Sequence, residues 1–194
     1  MKQTSFEEIV TPELVKGAIL NEEFTGFKED YLVIHCLIKK HSPKTLFEVG
    51  TNMGTGTNII CNANPGMKVI SLDLPYDLAH VSLQSPVSEG KGMNTGRNCK
   101  FPFTQVWGDS MKYDYSQHYP IEGWFIDGEH NYSNPYHESK EAIKSGAKLI
   151  IWHDSDIAEV YNAINDAFQW NNDYDLYRVI NTRIAFALRK EKNG

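Results

Sequence analysis

Three glycines placed just after a short apolar segment constrain this chain more than any other feature. Leu46 to Val49 is an apolar run carrying one acid, Glu48. It breaks into Gly50, Gly54 and Gly56 before a helix-compatible stretch, Thr57 to Ala63. The pattern predicts a strand, a tight turn and a helix whose N-terminus faces a ligand. Glycine in such a turn lets backbone approach a bulky cofactor closely, and free N–H groups favour polar or anionic ligand groups. The spacing reads E-x-G-x-x-x-G-x-G, with Thr51 and Met53 inside the turn, whereas dinucleotide-binding loops use G-x-G-x-x-G.

The rest of the chain alternates. Strand-like runs fall at Thr45–Val49, Lys68–Leu72, Phe103–Trp107, Gly123–Ile126 and Ala147–Trp152. Two more, Leu176–Ile180 and Ile184–Leu188, flank a turn at Asn181-Thr182. A helix is expected from an Asn134 cap with Pro135 to Ser145-Gly146, and another follows Asp156. Strand, crossover helix, strand implies an α/β fold: a doubly wound, mostly parallel, seven-stranded sheet ending in an antiparallel hairpin. Two N-terminal helices precede it, one capped by Thr11 and one from about Lys28 to Lys40. We therefore expect a single domain over 1–194, with N-terminal helices in 1–43 and a Rossmann-like core in 44–188. An insertion at about 75–102, rich in turn chemistry and poor in periodicity, interrupts that core.

Composition narrows the partners. With 19 basic against 25 acidic residues the net charge is -6, which argues against a nucleic-acid ligand because phosphate neutralisation needs a clustered basic surface. No apolar stretch long enough for a membrane span is visible, and the first residues are polar and acidic, so a cytoplasmic protein is expected. Cys36, Cys61 and Cys99 are odd in number and widely spaced, matching neither a disulfide framework nor a C-x-x-C metal site.

In a doubly wound sheet the ligand lies over the carboxyl ends of the strands. The second strand of the core ends in Asp73, whose carboxylate can accept from both hydroxyls of a ribose. The third ends in Trp107-Gly-Asp-Ser110. There Asp109 can accept the exocyclic amine of adenine while Ser110 reaches a ring nitrogen. Met53, Leu74 and Trp107 are apolar neighbours able to sandwich the base, or to serve as ordinary core. The fourth strand ends in Asp127-Gly-Glu-His130 and the fifth in His153-Asp154. Acids on neighbouring strands, about 4.8 Å apart, repel unless a proton or cation lies between them. Asp127 and Asp154, with a nitrogen from His153, are thus a candidate divalent-metal site. In the other reading Asp127 only borders the cofactor and His153-Asp154 caps the next helix.

Glu48 with its glycine turn, Asp73, and Asp109 with Ser110 together resemble the motifs of class I S-adenosylmethionine-dependent methyltransferases, over about Leu46 to Ala187. The pairing of D-G-x-H-x-Y with a later H-D resembles the subgroup of small-molecule O-methyltransferases, including the catechol type and cephalosporin hydroxylase-like sequences. The resemblance implies that Glu48 and the turn hold the methionine part of S-adenosylmethionine, Asp73 the ribose, and Asp109 with Ser110 the adenine. In the catechol-type relatives a lysine three residues after the metal-binding Asp takes the acceptor's proton, and that offset lands on His130. Imidazole titrates near neutrality, so His130 with Asp127 is the expected catalytic pair; a ligand or supporting role for His130 stays open. His153 stands where an oxygen ligand is expected, which admits Mn, Fe or Zn alongside Mg.

The reading is methyl transfer from S-adenosylmethionine to a small-molecule acceptor, through a hydroxyl oxygen, with or without metal assistance. The acceptor and the oligomeric state are not legible. Three rivals share the residues: an NAD-dependent oxidoreductase, a non-catalytic nucleoside- or sugar-binding module, and a metal-dependent hydrolase using Asp127, His130, His153 and Asp154.

Overall fold

A computed structural model describes residues 1–20, 27–75 and 94–191. In chain order the elements are β1 (Lys2–Thr4), α1 (Phe6–Ile9), α2 (Pro12–Val15), α3 (Lys28–His41), β2 (Thr45–Val49), α4 (Thr55–Ala63), β3 (Lys68–Asp73) and β4 (Thr104–Trp107). They continue with β5 (Gly123–Ile126), α5 (Ser133–Ser145), β6 (Leu149–Trp152), α6 (Ala158–Phe168), β7 (Tyr174–Val179) and β8 (Ala185–Arg189). Among the described residues one sheet contains every strand, in the order β1-β7-β8-β6-β5-β2-β3-β4. Only the pairings of β8, with β6 and β7, are antiparallel.

The core follows from strand alternation, which sends successive side chains to opposite faces. Leu46, Val69, Phe125, Leu149 and Ile151 join an apolar cluster with Ile34 and Leu37 of α3 and Ile59 and Ile60 of α4. Their neighbours Phe47, Ile70, Trp124, Ile150 and Trp152 join a second cluster with Ala142 of α5 and Ile164 and Phe168 of α6. The central strands are covered on both faces, so they read as continuous apolar runs.

The expected layered fold is therefore present, with three differences. The sheet has eight strands, because Lys2–Thr4 pairs in parallel with β7 and covers what would be an open edge. Three exposed or half-exposed residues carry no periodicity from which to read a strand. The N-terminal helices number three among the described residues, α1 being closed by a Ser5–Glu8 capping box. Helix α5 starts ahead of the expected Asn134 cap: Asn131 Oδ1 accepts from Asn134 N at 3.1 Å, so Asn134 lies in the first turn. Gly146 ends that helix in the left-handed conformation, as its sequence suggests. Most of the 75–102 insertion lies outside the described residues.

The topology turns around at β2 and β5, where a cleft is expected. Beyond each strand one more backbone bond continues the ladder: Gly50 N to Leu72 O at 2.8 Å, Asp127 N to Val49 O at 2.9 Å, and His153 N to Ile126 O at 3.1 Å. Gly50 has φ +97°, and a Cβ there would sit 2.1 Å from the Asp127 carbonyl oxygen. The two strand ends can meet only because residue 50 has no side chain. Gly50→Ala should lower the unfolding free energy by about 2–4 kcal/mol, combining left-handed strain with a backbone clash. Urea titration checks this, and a loss below about 0.5 kcal/mol would mean that these strand ends part easily.

Candidate functional site

The glycine turn rests on a buried acid. Glu48 is 0 % exposed, and its Oε2 accepts from Thr57 Oγ1 at 2.7 Å and from the Ser71 hydroxyl. Thr51, also buried, joins the same network through Ser71 at 2.6 Å and Gln105 Nε2 at 3.0 Å. Burial pushes the Glu48 carboxyl up to about 8, against the hydroxyls of Ser71 and Thr57, so most of it carries a proton at neutral pH. The carboxyl lies beneath the turn, with Oε1 3.2 Å from where a Cβ on Gly56 would be. Thr51 likewise points its hydroxyl into the protein. Glu48 and Thr51 shape the turn from below.

The turn is also held from above. Gly96 N donates to Asn52 O and Asn98 N to Met53 O, both at 2.9 Å, while Gly54 in the left-handed region caps α4 against the Gly96 backbone. Asp73, at the end of β3, accepts from Asn52 N at 2.7 Å and Leu74 N at 2.8 Å, which orients its carboxylate beside the turn.

At the end of β4, Asp109 accepts from Met111 N at 3.0 Å and pairs with Lys112 at 3.1 Å. Ser110 Oγ accepts from Asn134 Nδ2 at 3.2 Å, linking this strand end to α5. Next to it lies Glu138, which sequence reasoning passed over. It is 0 % exposed with neither carboxyl oxygen hydrogen-bonded among the described residues. Burial pushes it up to about 7, opposed by Ser110 and the charge of His130.

The ends of β5 and β6 meet a third element. His130 Nε2 lies 2.9 Å from Asp154 Oδ2 and 4.0 Å from Asp127 Oδ1. His153 Nδ1 lies 3.0 Å from Asp154 Oδ2 and 3.4 Å from Asp127 Oδ1. His153 Nε2 faces Asp30 of α3 at 3.3 Å. Arg183, from the β7–β8 turn, donates from its backbone N and Nε to Asp30 at 3.0 and 3.2 Å and from Nη1 to Asp154 at 2.6 Å. The Phe27 ring covers its guanidinium at 3.7 Å. Asp154 adopts φ +52°, an uncommon backbone for aspartate that turns its carboxylate into this cluster. Asp30 and Arg183 carried no sequence signal, since each is isolated in its own segment.

Charge decides the state of the cluster. Burial opposes ionisation of Asp127 and Asp154, but His130 and His153 outweigh it and hold both below the usual carboxylate range. Asp30 is lowered likewise by His153 and Arg183, against burial. In return Asp127 and Asp154 push His130 up to about 10. Burial disfavours charge on His153, yet Asp127, Asp154 and Asp30 push it up to about 11. The carboxylates around them thus favour the protonated form of both imidazoles. Three carboxylates against Arg183 and two imidazolium groups leave no net charge. The donor atoms of Asp127, His153 and Asp154 also lie within 4.8 Å of one another. A divalent ion fits this donor set and preserves neutrality if it displaces both imidazole protons.

No family model matches the chain, and no curated protein sequence does. Solved structures share its fold. A cofactor-bound protein of MTB, Rv0187, is 18% identical with TM-score 0.59, covering 93% of this chain and 88% of that one. An O-methyltransferase from Bacillus cereus in complex with SAH is 15% identical, with TM-score 0.56 and coverages of 95% and 90%. The O-methyltransferase TomG from Streptomyces achromogenes, in complex with SAM, is 14% identical, with TM-score 0.55 and coverages of 93% and 91%. This chain therefore shares the Rossmann-like fold of those structures. No helix among the described residues is long and apolar enough to cross a membrane.

The cluster makes stability depend on pH. Groups raised in the folded state, His130 and His153, contribute fully below the unfolded value of about 6.5 and lose that contribution as pH rises through about 10–11. The lowered carboxylates contribute above about 4 and lose it as pH falls. The thermal midpoint should therefore decline between pH 7 and 10, and His130→Gln should make that decline shallower. A decline of equal slope in the variant would remove His130 from the cluster.

Proposed function

We propose that this protein transfers the methyl group of S-adenosylmethionine to a hydroxyl oxygen of a small-molecule acceptor. The observation that carries the proposal is the meeting of a glycine turn, a ribose-ready acid and an acid–imidazole cluster at one topological switch point. Its fold is that of structures holding SAM or SAH, which supports the same reading.

The cofactor fits the residues present. Asp73 has its carboxylate fixed beside the turn and would take the ribose hydroxyls. Gly50, Gly54, Gly56 and Met53 would carry the methionine part along the turn, with Glu48 and Thr51 holding its shape. Ser110 and Asp109 would lie at the adenine end. In the reaction an acceptor oxygen attacks the methyl carbon as the carbon–sulfur bond breaks, leaving a neutral thioether. The sulfonium is already activated, so the protein's task is to align donor and acceptor and to remove one proton.

His130 lies at the rim, its side chain 43 % exposed, with Nε2 turned inward onto Asp154. As an imidazolium it orients Asp127 and Asp154; as a base it must first be discharged. A divalent ion held by Asp127, His153 and Asp154 would supply that discharge and lower the hydroxyl pKa. His130 would take the proton on Nδ1, with Asp154 beside Nε2 keeping the ring in place. The net charge of -6 and the absence of a long basic run favour a small acceptor over nucleic acid, in the cytoplasm.

S-adenosylhomocysteine should raise the thermal midpoint, and NAD⁺ should leave it unchanged, since the turn suits a nucleoside without a pyrophosphate. A shift from NAD⁺ alone would sink the proposal. Asp73→Ala should weaken S-adenosylhomocysteine by about 1–3 kcal/mol, the cost of stranding the ribose hydroxyls. Mn²⁺ titrated calorimetrically at neutral pH, in buffers of different ionisation enthalpy, should release close to two protons per ion. Asp154→Ala should abolish that binding. Binding without proton release would contradict the imidazolium pair.

A further inference from the structure

Cys61 lies on α4, the helix that leaves the glycine turn, and is 4 % exposed. Cys99 is half-buried on the segment that returns from the insertion, and it packs against the same apolar cluster as Cys61. That segment lies along α4: Asn98 Nδ2 donates to Thr55 Oγ1 at 3.3 Å, and Lys100 N donates to Asn58 Oδ1 at 2.9 Å. Cys61 is the next step of three along the helix, and its side chain meets that of Cys99. The return segment is also what holds the turn from above, through Gly96 N to Asn52 O and Asn98 N to Met53 O.

We propose that Cys61 and Cys99 form a site of reversible oxidation, closing into a disulfide that staples the return segment, and with it the glycine turn, to α4. The oxidant class is a low-molecular-weight disulfide. The Cys99 thiolate attacks one of its sulfurs, forming a mixed disulfide and expelling one small thiolate, which takes up a proton. The Cys61 sulfur, giving up its proton, then attacks the Cys99 sulfur, and the second small thiol leaves. The protein has lost two protons and two electrons, and the small disulfide has become two thiols. Cys99 suits the attacking role because it is the more exposed and because the neighbouring Cys61 lowers its thiol. Cys36 is 0 % exposed, and burial pushes its thiol up to about 11, so it stays reduced. The proposal does not depend on which ligand the turn takes.

The test is incubation of the full chain with oxidised glutathione at neutral pH, followed by intact mass, peptide mapping and amide hydrogen exchange. The wild type should lose the mass of two hydrogens and yield a Cys61–Cys99 linked peptide, both reversed by a thiol reductant. Exchange at the Gly96 and Asn98 amides should slow by about tenfold or more in the oxidised protein. Cys99→Ser should remain unmodified, and Cys61→Ser should stop at a glutathione adduct on Cys99. An unchanged wild-type mass, a lasting adduct on wild-type Cys99, or a link to Cys36 would overturn the site. Unchanged exchange at Gly96 and Asn98 would overturn its reach to the turn.

Discussion

The approach of Gly50 to the carbonyl of Asp127 is the contact on which the rest of the site depends. Two parallel strands running away from a topological switch point would ordinarily diverge into separate loops. Here the bare Cα of residue 50 lets the backbone after β2 lie against the backbone after β5. The glycine turn and the side chains of Asp127 and His130 therefore stand at adjacent strand ends. Backbone ladders that continue past the strand ends hold β3 and β6 in the same plane, so Asp73 and His153 arrive with them.

Beneath and around this opening the protein buries more acid than its apolar sheet would suggest. Glu48 and Glu138 are wholly buried and are raised by burial toward the neutral form, whereas Asp30, Asp127 and Asp154 stay ionised because imidazoles and Arg183 surround them. The difference is one of partners. Glu48 receives hydroxyl hydrogen bonds only, which do not repay full desolvation of a charge. The aspartates receive cations, which do. One group of acids shapes the turn and its neighbour, and the other is held ionised by its cationic partners.

Arg183 and Asp30 extend that cluster across the chain. The β7–β8 turn and the N-terminal helix α3 are far apart in sequence, yet both reach Asp154 or His153 directly. Phe27 lies over the guanidinium and thereby brings the entry of α3 to the same rim. The N-terminal region is thus part of the site's electrostatics, not only a cover for the sheet.

Much of this was legible from residue order alone. The run Thr45–Val49 with its glycines predicts a strand, turn and helix, because a period of two followed by permissive residues allows little else. The strand-end acids Asp73, Asp109, Asp127 and Asp154 follow from the same periodicity. Strand Lys2–Thr4 was not legible, since three polar residues become a strand only when β7 offers an edge. Nor were Asp30, Glu138 and Arg183, because burial and partnership arise from contacts between distant segments. Local pattern determined which elements form and which residues end them. Only the tertiary structure decided which charges face one another, and therefore that His130 meets Asp154 and Glu48 lies beneath the turn.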